Sequence, residues 1–153
     1  NLNKNLFQGF CIPKSRGSLT KLKKGSKKLT ILDETYNSNP LSLKFALKRF
    51  NTINIETKKK FLLIGDMLEL GNYSKKLHIE IAKYINNSKV NKTYVYGRHI
   101  KHTFNKLKPQ IKGRILVNPM DIYNLINNDL PNNSLLMVKG SNSTGLNKII
   151  QKL

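Results

Sequence analysis

Apolar residues fall along the chain in short blocks of two kinds, and the kinds alternate. Residues 18–23 and 27–33 are strand-like runs joined by Lys24-Gly25-Ser26, a short glycine-containing turn that predicts a hairpin. The second run ends in Leu29-Thr30-Ile31-Leu32 and stops at a carboxylate, Asp33. Behind Pro40, which suits the first turn of a helix, Leu43, Ala46, Leu47 and Phe50 repeat at i, i+3, i+4 and i+7. Phe61-Leu62-Leu63-Ile64 is a continuous apolar run of the sort buried on both faces, and it ends at Gly65-Asp66. Ser74 is placed to cap a helix whose stripe is Leu77, Ile81, Tyr84 and Ile85. Residues 93–96 read as a strand ending at Gly97, and Ile100, Phe104 and Leu107 as a short helix. Ile115-Leu116-Val117 is a further strand, followed after Pro119 by a helix carrying Ile122, Leu125 and Ile126. Residues 134–138 form the last strand, which ends at Lys139-Gly140-Ser141, and Leu146, Ile149, Ile150 and Leu153 mark the last helix.

Short apolar runs alternating with helical stripes define parallel βαβ units. The expected fold is α/β: a Rossmann-like open, mostly parallel sheet with helices on both faces, preceded by a β-hairpin. Residues 1–17 hold no sustained period. Phe7, Phe10, Ile12 and Pro13, followed by Ser15-Arg16-Gly17, read as a linker or the end of a preceding domain, so the domain proper is expected over 18–153. A chain of 153 residues suits one such domain, and because its first residue is Asn1 it is expected to be part of a longer protein.

Charge changes the picture less than its size suggests. The chain carries 28 Lys and Arg against 8 Asp and Glu, a formal +20 that would steer any anion toward it. All but four of the cations (Arg16, Arg49, Arg98 and Arg114) are Lys, and they are spread along the whole length. Heavy use of Asn beside Lys and Ile points to AT-rich codons as the plain origin of this surface. An anionic nucleotide or sugar-nucleotide would gain from the same field. Cys11 stands alone, which excludes a disulfide framework and suits a reducing cytoplasm. No apolar run approaches the length of a membrane span, and no signal peptide is expected.

Ligands of open α/β sheets bind at the carboxyl ends of the strands. Three polar segments follow apolar strands there: DETYNSNP (33–40), GDMLELG (65–71) and KGSNSTG (139–145). Asp33 and Asp66 are candidates to accept from ribose hydroxyls or to hold a metal that bridges phosphates; each is equally a common turn or cap residue. Asn37 and Asn39 offer amides at the start of a helix. Lys139, with the N–H groups of Gly140, Ser141 and Asn142, would form a nest for a carboxylate or phosphate. The chain has no GxxxxGKS/T phosphate loop, no GxGxxG fingerprint and no His–acid pair at metal-ligand spacing, so it can touch a nucleotide without cradling a triphosphate.

In order and spacing, DETYNSNP, LLIGDMLELG with Leu77-His78 following, and VKGSNSTGL resemble the C-terminal domain of the Mur ligases of peptidoglycan synthesis. The branch resembled is the one that adds D-alanyl-D-alanine to UDP-N-acetylmuramoyl-tripeptide. Its pattern is close to DDSYNANP, GDMLELG and KGSRSMGLE, and the likeness runs from about Pro13 to Leu153. The resemblance implies an ATP-dependent amide ligase in which the phosphate loop and the Mg2+ ligands belong to a central domain. The C-terminal domain would close over the nucleotide and help place the dipeptide. Carried over by position, Asp33, Asn37, Asn39 and Asp66 would face the nucleotide. Lys139, Gly140, Ser141 and Ser143 would position the dipeptide or the transferring phosphate. No catalytic or metal-binding residue is assigned within these 153 residues.

Several positions depart from that pattern. Glu34 and Thr35 replace Asp and Ser, Asn142 stands where Arg is frequent, Thr144 replaces Met, and Asn147 replaces an acid. His78 is read as structural or surface, and His99 with His102 lacks an acid partner for a metal. Tyr36, Tyr94 and Tyr96 are read as strand packing, and Cys11 has no nucleophilic role. Two other readings stay open: a different Mur or folylpolyglutamate-type ligase, and a basic nucleic-acid-binding domain. The second requires a basic stripe interleaved with exposed aromatics. Ala at Asp66 or Asn37 is expected to impair turnover and leave the fold intact.

Overall fold

The computed structural model describes residues 15–54 and 59–153. The readings made on Phe7, Phe10, Cys11, Ile12 and Pro13 lie outside that range. A hairpin of β1 (Ser18–Lys24) and β2 (Lys27–Glu34) opens the sheet. Then follow α1 (Pro40–Thr52), β3 (Lys59–Gly65), α2 (Ser74–Glu80), α3 (Ala82–Asn86) and β4 (Lys92–Tyr96). The chain closes with α4 (Lys101–Asn105), β5 (Lys112–Leu116), α5 (Pro119–Asn124), β6 (Ser134–Lys139) and α6 (Leu146–Ile150). A wide π turn, Leu125–Asp129, extends α5.

The six strands lie in the order β1-β2-β6-β3-β4-β5, with only β1 antiparallel to its neighbour. The expected open, mostly parallel sheet with a leading hairpin is therefore what forms. Strand composition explains the order. All six residues of β6 are buried, and such a strand is stable only in the middle of a sheet covered on both sides. Alternate residues of the runs feed two separate cores, as the period of a strand requires. Leu32, Leu62, Ile64, Leu135 and Met137 pack with Phe50 of α1, Ile85 of α3 and Ile81 between α2 and α3. Ile31, Leu63, Leu136 and Val138 pack on the other face with Ile122, Leu125, Leu146 and Ile149.

Helix α1 begins as its sequence requires. Asn39 is the N-cap, its Oδ1 accepts the Ser42 N–H at 2.8 Å, and Ser42 Oγ accepts the Asn39 N–H in return at 3.0 Å. Ser74 does not cap α2 as expected. A short 3-10 turn, Gly71–Tyr73, leads into that helix, so Ser74 is already inside it. The single helix expected over the Leu77–Ile85 stripe is two, interrupted at Ile81.

Candidate functional site

Because β2, β6, β3 and β4 are parallel neighbours, the loops leaving their carboxyl ends share one edge of the sheet. Asp33, Lys139, Asp66 and Gly97 stand at those ends. In register, Lys139 of the central strand pairs with Glu34 on one side and Ile64 on the other. The three motif segments therefore come together on a single rim.

They are tied to one another. Lys139 is 2% exposed, and its Nζ donates to the Asn37 carbonyl at 2.8 Å. Burial lowers its pKa below the usual lysine value, against a smaller opposing pull from the Glu34 carboxylate. Ser141 joins all three loops: its N–H donates to Asp66 O at 3.0 Å and its Oγ accepts the Leu68 N–H at 2.8 Å. That hydroxyl in turn points to Ser38 O at 3.5 Å. With the Ser141 N–H so engaged, the expected nest of consecutive outward N–H groups does not form. Gly65 and Gly140 let the β3 and β6 loops cross, since a Cβ on Gly140 would meet Leu146 Cδ1 at 2.9 Å and Gly65 Cα at 3.3 Å.

Both carboxylates turn inward. Asp33 Oδ1 accepts from Thr35 Oγ1 at 2.6 Å and Thr35 N at 3.0 Å, and its Oδ2 accepts from Ser15 Oγ at 3.0 Å. Asp66 accepts the N–H of Arg98 at 3.0 Å and that of Ile100 at 2.7 Å. Each acid thus fastens a neighbouring loop, and this arrangement leaves neither poised to ligate a metal. Among the described residues no group of three or more His, Cys, Asp or Glu is placed to hold a metal ion.

Among the described residues three clefts open along the rim. One of about 310 Å³ lies among Arg16, Glu34, Tyr36, Asn37 and Lys139. A smaller one of about 200 Å³ lies among Asn37, Glu69, Ser141 and Ser143. The third, about 370 Å³, is bordered by Asp66, Arg98, Lys101, Val117 and Ser143. A fourth cleft, of about 340 Å³, sits at the hairpin end of the sheet and holds none of the motif residues. Tyr36 is half exposed, not strand packing, and the Arg16 guanidinium lies 3.8 Å over its ring. Residues 97–101 were missed as part of the site. Their only sequence signal is Gly97 at a strand end, followed by the rare Arg98.

His78 is a structural residue of the rim. It is fully buried; Nδ1 lies 2.8 Å from Ser74 O, which only accepts, so Nδ1 carries the proton. Nε2 must then accept the Met67 N–H at 3.1 Å, which fixes the GDMLELG loop to α2. Burial is the main cause holding this imidazole below its ordinary pKa of 6.5. A depressed folded pKa means the unfolded chain binds the proton first. The neutral ring's contribution is therefore complete above about pH 6.5 and lost as pH falls through the lowered value of the folded state. The urea midpoint should drop between pH 7.5 and pH 5, and the drop should shrink in His78→Gln. Equal slopes in both proteins would remove this histidine from the account.

An open α/β sheet with polar loops at the carboxyl ends of its strands has the arrangement in which such sheets bind their ligands. A family model described as Mur ligase, glutamate ligase domain, matches residues 20–142, and the chain belongs to the Mur ligase family as its C-terminal domain. The UDP-N-acetylmuramoyl-tripeptide–D-alanyl-D-alanine ligase of Rickettsia prowazekii is 28% identical over 141 residues, which cover 92% of this chain and 30% of that protein. The ligase of the same name from Buchnera aphidicola subsp. Baizongia pistaciae is 32% identical over 130 residues, 84% of this chain and 27% of that protein. The crystal structure of the MurF ligase from Thermotoga maritima in complex with ADP has the same fold, with a TM-score of 0.71 at 20% identity over 94% of this chain and 31% of that one. The chain spans less than a third of the length of these relatives.

Proposed function

We propose that this chain is the closing domain of an ATP-dependent ligase that joins D-alanyl-D-alanine to UDP-N-acetylmuramoyl-tripeptide, with residues 1–17 as its join to a central domain. ATP would phosphorylate the tripeptide carboxylate, and the dipeptide amine would displace phosphate from the acyl phosphate. A cytoplasmic setting, where ATP is at hand, goes with this reading. Mg2+ and the triphosphate are assigned to the central domain. The described rim fits only their periphery: a buried lysine, an amide and a stacked Arg–Tyr pair, with Asp33 and Asp66 already engaged by their own loops.

The observation that carries the reading is the bracing of Lys139 and Ser141 across all three motif loops. Donors fixed before the substrate arrives stabilise developing charge without reorganising, and closure over them expels water. The apolar surface supports closure. Tyr36, Leu41, Phe45, Tyr73, Val117 and Met120 are all exposed, and all lie in the rim loops or in the first two turns of helices leaving them. An apolar border of this kind marks a surface that meets another domain. Within this reading Asp33 and Asp66 hold the loops that Asn37, Lys139 and Ser143 present to nucleotide and dipeptide.

The test is phosphate release by the chain that carries this domain together with its central domain. Release that requires both UDP-N-acetylmuramoyl-tripeptide and D-alanyl-D-alanine is the expected result. Release with another amino acid, or with glutamate and a folate, would move the assignment to a different branch. Tight single-stranded DNA binding with a steep salt slope, and no release, would favour the polyanion reading.

A further inference from the structure

The cleft of about 370 Å³ beside residues 97–101 touches the motif loops at Asp66 and Ser143, but the roles carried over from the motifs give none to its Arg98, Lys101 and Val117. Two chemistries meet on its walls. Arg98 and Lys101 bring cations, while Leu68, Leu116 and Val117 bring apolar surface, Val117 being 72% exposed. The acid that borders it, Asp66, has both oxygens turned to backbone N–H groups. Arg98 also stands out from the lysine-rich background. Arg49 and Arg114 form ion pairs and Arg16 stacks on Tyr36, whereas Arg98 has no side-chain partner among the described residues. A guanidinium without a protein acceptor, in a site with aliphatic walls, is suited to a carboxylate carried on a small apolar body. Nucleotide phosphates would use the cations but leave the aliphatic wall without a partner.

We propose that this cleft receives the carboxylate end of the acceptor dipeptide, with Arg98 and Lys101 gripping the terminal carboxylate and Leu68, Leu116 and Val117 facing its methyl groups. The proposal rests on the ligase reading above. It makes Arg98 a specificity residue: an acceptor whose terminus is neutral lacks the group that the cleft selects.

The test uses the complete enzyme carrying Arg98→Gln or Lys101→Gln. Only the backbone N–H of Arg98 holds the Asp66 loop, so its side chain can be changed without releasing that loop. KM for D-alanyl-D-alanine should rise about tenfold to a hundredfold, the range for losing a hydrogen bond to a charged group, while KM for ATP stays within about twofold. The unaltered enzyme supplies a second reading that needs no variant: D-alanyl-D-alaninamide should show a similarly raised KM, and Arg98→Gln should not worsen it further. An unchanged dipeptide KM would overturn the proposal, and so would a KM for ATP that rises in step, since the cleft would then serve phosphate. Dipeptide-dependent turnover missing from the unaltered enzyme would instead bring down the ligase reading, and this proposal with it.

Discussion

Asp66→Ala should lower the stability of the domain by about 3–5 kcal/mol, measured as a shift of the urea midpoint, before any effect on turnover is considered. The carboxylate is 8% exposed and accepts two backbone N–H groups, those of Arg98 and Ile100. Ala leaves both donors without an acceptor in a place water does not easily reach, at about 1–3 kcal/mol each. Gly97 shares the same anchor. Its φ is +136°, and a Cβ there would lie 2.5 Å from the Asp66 Cγ. Gly97→Ala should therefore cost a similar amount, and the two changes should add only in part, because the clash vanishes once the carboxylate is gone while the strain of the positive φ stays. The initial expectation that the fold would tolerate Asp66→Ala gives way to this geometry. A loss below about 1 kcal/mol would mean that residues 97–100 are held by something else.

Lys139→Met should separate stability from function. A buried cation is expensive to desolvate, and an apolar residue of similar length relieves that cost while giving up the bond to Asn37 O. The two effects oppose each other, so the urea midpoint should move by no more than about 1 kcal/mol. Turnover of the complete ligase should fall by about a hundredfold or more, the usual consequence of removing one preorganised donor from developing charge. Unimpaired phosphate release would end the case for Lys139 at the reacting end of the rim.

Most of the architecture was legible because the strands announce themselves. Phe61-Leu62-Leu63-Ile64 and Leu135-Leu136-Met137-Val138 have no polar residue to give to solvent, so both had to lie inside a doubly covered parallel sheet. Asn39 and Pro40 marked a helix start correctly. Ser74 did not, because a hydroxyl next to an apolar stripe looks the same whether the helix begins there or is led in by a 3-10 turn. The candidate site was legible as a set of loops but not as a set of roles. Asp33 and Asp66 read as ligand-facing since sequence shows that an acid ends a strand, not which way it turns. Of their partners only Thr35 is near in sequence; Ser15, Arg98 and Ile100 lie 18 to 34 residues away. His78 was read as structural or surface; burial and its bond to Met67 make it structural.

The position of β6 has a consequence for synthesis. The strand that holds the middle of the sheet spans Ser134–Lys139 in a sequence of 153 residues, and it pairs with both β2 and β3. Until the ribosome delivers it, the nascent polypeptide carries two apolar strands, each with an open edge that should be internal. Such edges recruit other molecules, and pairing over so long a stretch of sequence is slow. A chain cut short before residue 140 would keep both edges open, so such a truncation should aggregate where the whole domain folds.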